Sequence, residues 1–168
     1  KEVDALGFQL ACHAIGDAAL DEALHAIERT MALGRNQRRH RIEHASVARP
    51  DQIQRLARLR IPVAIQPQFV KSDFRTLVRL GEQRRNWAYP FRSMKKAGVV
   101  LGLSSDAPIE QLGSSACLKC ATSRDLKWPN ESLSQDEAIE SYTTGSAWLS
   151  GCASQVGSFQ IGAPADFV

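Results

Sequence analysis

Four short apolar stretches in this chain are each followed by a segment with helical spacing, and this alternation restricts the fold more than any other feature. The stretches are Leu6–His13, His40–Ala45, Ile61–Gln66 and Val99–Ser105, and each reads as a strand. After the first, Leu20, Leu24, Ile27 and Met31 recur at helical spacing, with Asp17 as the expected N-cap and Gly34 as the stop. After the second, Pro50 opens a helix expected to bury Ile53, Leu56 and Leu59. Past the third, Val70–Ala88 carries arginines and some helical spacing and reads as a surface helix and loop. A short helix over Pro90–Ala97, burying Phe91 and Met94, then leads through Gly98 into the fourth strand. Beyond it, a helix is expected over Ser114–Arg124. Ser134 and Glu137 form an S-x-x-E capping box for a helix burying Ala138, Ile139 and Tyr142. A further turn of helix falls around Ala147–Leu149.

Strand–helix repetition argues for an α/β fold of parallel βαβ units with right-handed crossovers. Four such units make half of a TIM-like (β/α)₈ barrel, which in full takes about 250 residues. The 168 residues suffice for one domain with a real core. Residues 1–150 hold the alternating units, and 151–168 read as a turn followed by the beginning of a strand.

The strand ends carry the chemistry. GVVLGLSSDAP, from Gly98 to Pro108, reads as a buried strand that delivers Asp106 to its tip. Side chains alternate along a strand, so Val99, Leu101 and Leu103 take one face, and Val100, Gly102, Ser104 and Asp106 the other. QLACHAIGD ends its strand at His13, and HRIEHA places His40, Ile42 and His44 on one face, with His44 at the tip. His, His and Asp at strand C-termini are the groups a catalytic zinc takes, at the end of the barrel where such enzymes work.

Net charge is +3, which excludes little. The basic run Arg35, Arg38, Arg39 and Arg41 reads as a solvated loop, and no nucleic-acid partner is expected. No apolar run approaches the roughly 18 residues a membrane span requires, so no membrane role is expected. His25 reads as a surface residue. Cys117 and Cys120 of CLKC read as buried thiols on one helix face, and free cysteines point to a reducing, cytoplasmic compartment.

The chain resembles the C-terminal half of the metal-dependent amidohydrolase superfamily, in the branch of the N-substituted formamide deformylases. The matching stretches are HAIGDAALDEAL, HRIEHA, IQPQF, SDAP, EAIESYTTGSA and GSFQIGAPADFV. The resemblance implies a (β/α)₈ barrel whose fifth and sixth strands present His13 and His44 as metal ligands. It makes Asp106, on the eighth, both a ligand and the general base. Gln66 and Gln68 become substrate-pocket residues, and 151–168 the return into a small β-domain. It implies a divalent metal, zinc above others, and a small amide-like substrate. The H-x-H ligand pair of the family's first strand falls outside the chain. The expectation is therefore a fragment with half of the metal site, little activity alone, and open edges at Leu6–His13 and Val99–Ser105 that invite self-association or a partner chain. An ester or cyclic-amide hydrolase, or a non-catalytic half-barrel scaffold, remain alternatives at this point.

Overall fold

The computed structural model describes residues 2–31, 36–73, 75–124 and 128–165. A single sheet runs in the order β1 (Ala11–Ala14), β2 (Arg41–His44), β3 (Val63–Ile65), β4 (Leu101–Leu103), and all its pairs are parallel. Helices α2 (Asp17–Thr30), α3 (Pro50–Leu59) and α6 (Phe91–Lys96) fill the crossovers. They are joined there by α4 (Phe69–Ser72) and α5 (Thr76–Arg85). The chain opens on α1 (Glu2–Ala5). It closes on α7 (Ser114–Thr122), α8 (Gln135–Glu140), a π-helical turn at Ser141–Gly145 and α9 (Ser146–Leu149). The expected βαβ alternation is present, in strand order.

The core lies between sheet and helices. Leu20, Leu24 and Ile27 of α2, Leu56 of α3 and Phe91 and Met94 of α6 pack with Ile42, Val63, Ile65 and Leu101 as one buried cluster. These are the apolar positions whose spacing defined the helices, and burial of such side chains stabilises by about 1.5–3 kcal/mol each. The expected capping box is present, and a second cap stands where Pro50 opens α3. Gln52 Oε1 accepts from Arg49 N at 2.9 Å at the start of α3. Ser134 and Glu137 close a reciprocal box, Ser134 N donating to Glu137 Oε2 at 2.8 Å and Glu137 N to Ser134 Oγ at 3.2 Å.

Several expectations are corrected. The first strand does not begin at Leu6. Residues 6–8 bond back to α1, through Leu6 N to Glu2 O, Gly7 N to Asp4 O and Phe8 N to Val3 O, so these amides are withdrawn from the ladder. Gly7 makes that turn at φ +86°. The N-cap of α2 is Gly16 rather than Asp17. The Asp17 carboxylate is drawn instead to Arg84 at 3.4 Å and Arg49 at 3.9 Å. That helix ends at Thr30, and the expected stop, Gly34, lies outside the described residues. Ile139 is exposed rather than buried. Residues 151–165 form turns and bends, and the end of the expected strand, 166–168, lies outside the described residues. Arg35 also falls outside them. Arg39, from the same basic run, stacks on Trp148 with its guanidinium carbon 4.9 Å from the ring centroid. Among the described residues no helix is long and apolar enough to cross a membrane.

The two outer strands are finished differently. Gly145 lies so close to β4 that a Cβ built there would stand 2.1 Å from Leu101 O, which explains glycine in that turn. One residue on, Ser146 Oγ accepts from Leu103 N at 3.1 Å. The outer edge of β4, expected to be open, is therefore covered by its own downstream helix. Among the described residues β1 pairs with β2 alone, and its Ala11 and His13 are exposed.

Candidate functional site

The parallel register aligns the strand C-termini, pairing His13 with Glu43 and Ala14 with His44. Strict alternation would set His44 on the face of Ile42 and turn it away from His13. At this point the backbone leaves regular strand geometry, with His44 at φ +79° and Ala45 at φ +48°. Two successive left-handed residues without glycine are sparsely populated and cost of order 1–3 kcal/mol each. They persist here because the following amides continue to bond β1, Ala45 N to Ala14 O and Val47 N to Ile15 O, both at 2.9 Å. The outcome brings the two imidazoles together, edge to face, with ring centroids 4.5 Å apart.

His44 is buried and held on three sides. His13 meets one edge. Phe69, just past β3, stacks over it with centroids 6.1 Å apart and planes 10° from parallel. Gln66 Oε1 lies 2.8 Å from His44 Nδ1. An amide oxygen only accepts, so Nδ1 carries the hydrogen and Nε2 keeps its lone pair. His13, at the edge of the sheet, is exposed. Burial raises the thiol of its neighbour Cys12, which keeps that sulfur protonated and a poor ligand.

The other predicted residues fall out as follows. Gln66 is buried, and its Nε2 donates to Ala64 O at 3.1 Å and Ser104 Oγ at 2.7 Å. Gln68 is also buried. Its Nε2 donates to Gln111 O at 3.2 Å, and its Oε1 has no hydrogen-bond partner among the described residues. Asp106 is not on the strand. β4 ends at Leu103, the ladder takes one more bond from Ser104 N to Ile65 O, and Asp106 follows in a turn at φ +55° whose carbonyl accepts from Ile109 N. It is exposed, and its carboxylate has no partner among the described residues. The structure thus brings His13, His44 and Gln66 together and leaves Asp106 apart from them.

Ser104 and Phe69 were not singled out by sequence reading. The only available signal was position, since both stand at strand ends beside named residues. The paired imidazoles suit a borderline cation such as zinc, with His44 Nε2 free to bind. Among the described residues no group of three or more His, Cys, Asp or Glu side chains is placed to hold a metal ion. The pair therefore fits as part of a coordination shell rather than a whole one.

The sequence profile of the Amidohydrolase family matches residues 1–168. YtcJ of Bacillus subtilis (strain 168) is 36% identical over 170 residues, covering 96% of this chain and 32% of its own. N-substituted formamide deformylase of Arthrobacter pascens is 32% identical over 170 residues, covering 97% of this chain and 31% of its own. The crystal structure of a metal-dependent hydrolase from Pyrococcus furiosus is similar at a TM-score of 0.86 and 36% identity, over 96% of this chain and 33% of its own. The chain spans about a third of the length of these relatives.

Proposed function

The chain belongs to the amidohydrolase family, and on that premise we propose that it carries part of the metal-dependent site of a hydrolase acting on C–N bonds of amide or formamide type. The observation that carries this reading is the meeting of His13 and His44 at adjacent strand ends, with His44 Nδ1 engaged by Gln66. The four strands correspond to the fifth to eighth of a (β/α)₈ barrel, and 151–168 to the start of a return into a small β-domain.

His13 and His44 would hold the cation, zinc being the choice that imidazole donors favour. A bound divalent ion supplies a Lewis acid and brings the pKa of a water down towards neutrality. On its family motif SDAP, Asp106 would be a further ligand and the general base, a role that needs it to approach the pair from which its turn now separates it. Phe69 shields one face of the His44 ring from solvent. Gln68 offers the orphaned acceptor Oε1, suited to an N–H of an amide substrate. Four free cysteines fit a cytoplasmic setting. The uncovered edge of β1 takes up a second copy of the chain.

Zinc titration calorimetry on the purified chain tests the site. Binding is expected, and His13→Ala and His44→Ala should each weaken it by at least the 10–100-fold (approximately) that losing a supporting hydrogen bond costs a metal site. Zinc affinity unchanged in both variants would overturn the assignment.

A further inference from the structure

We propose that Gln66 is a positioning residue that selects the tautomer of His44, rather than a residue that contacts substrate. The proposal rests on the reading of His44 as a metal ligand for its consequence, but not for its geometry.

The orientation of an amide side chain is set by its partners. Ser104 Oγ can accept or donate and so decides nothing. Ala64 O decides, because a backbone carbonyl only accepts. At 3.1 Å from Ala64 O, the end of Gln66 facing it must be the NH₂. Reversing the amide would set two oxygens against each other in a buried place. Nε2 then has both hydrogens engaged, one on Ala64 O and one on Ser104 Oγ. No donor is left for a substrate, and Gln66 is 4% exposed. Oε1 is thereby turned to His44 Nδ1, which must donate. An imidazole left to itself favours the other tautomer, with the hydrogen on Nε2. The Gln66 amide holds His44 in the form whose Nε2 lone pair is free for a cation, and it does so before any ion arrives.

The same contacts join all four strands. Ser104 follows β4, Gln66 follows β3, His44 closes β2, and His13 on β1 meets the His44 ring. The ligand orientation is thus referred across the sheet to a strand two places away.

Long-range ¹H–¹⁵N correlation spectra of the metal-free chain, above the ordinary imidazole titration range, read the tautomer directly. His44 is expected with its hydrogen on Nδ1. Gln66→Leu should move it to Nε2 and lower zinc affinity about 10–100-fold. A wild-type His44 carrying its hydrogen on Nε2 overturns the proposal and needs no variant to fold. So does a Gln66→Leu chain that binds zinc as tightly as wild type. A wild-type chain with the Nδ1–H tautomer that binds no zinc overturns the metal reading of His44, and leaves the role of Gln66 in fixing the ring standing.

Discussion

Two buried histidines on one strand segment, His40 and His44, are held in opposite tautomers. His40 Nδ1 accepts from Leu10 N at 3.0 Å, so its Nε2 carries the hydrogen and donates to Asp4 Oδ1 at 3.1 Å. Both nitrogens are occupied by the chain itself, and His40 ties the N-terminal segment to β2. His44 has one nitrogen free. The alternating pattern placed His40 and His44 on one face and could not separate them, because the partners that separate them come from distant segments, α1 for one and IQPQF for the other. His40→Ala is expected to cost about 1–3 kcal/mol in denaturant unfolding, the range for leaving a buried hydrogen-bonding group unmet, with zinc affinity unchanged. A loss of zinc binding would place His40 in the site instead. Asp106 marks the opposite limit of reading from residues. Its motif and strand were legible, but the strand ends at Leu103 and Asp106 follows in a turn, at φ +55°, before the alternation reaches it.

At the scale of elements, α2 and α3 are clasped through charge. Arg55 on α3 pairs in a fork with Glu28 on α2, its Nε 2.9 Å from Oε1 and its Nη2 on Oε2. The hydrogen bond from Arg55 leads in holding the Glu28 carboxyl below its ordinary range, with charge adding and burial opposing. The unfolded chain therefore binds this proton more readily than the folded one. The contribution to stability is whole above the ordinary Glu value of about 4.3 and drains away as pH falls through the lower folded value. Glu28→Gln should melt below wild type at neutral pH, and the gap should close in acid. A gap that persists undiminished well below the carboxylate range would show that the clasp acts through packing alone. Helices were the legible elements here, since spacing and caps are local. Strand ends were less so, because residues 6–8 spend their amides on α1, a competition visible only when the segments are set side by side.

At the largest scale, the sheet of the described residues has one covered edge and one uncovered one. The edge of β4 is covered by Ser146, whereas β1 has a single neighbour and is preceded by Leu6 and Phe8 at 73% and 62% exposure. Unpaired edges and exposed apolar side chains favour association, and an isologous pair across β1 would cover both. Light scattering is expected to return a dimer, which Phe8→Lys should weaken. A monodisperse monomer at all concentrations would contradict it. Strand order and parallel pairing followed from the sequence through the strand–helix rhythm. The unequal treatment of the two edges did not, because it depends on a close passage beside Leu101 O at position 145, where any Cβ would clash.

The row from Ser104 to His13 also bears on how this scaffold could be recombined. Each β/α unit contributes one member, and each member sits at or within one residue of the C-terminal end of its strand. Shuffling units among relatives therefore tolerates crossovers within the helices but not at these strand ends. There, a single inserted or deleted residue would throw one member out of line and disconnect His44 from the far side of the sheet.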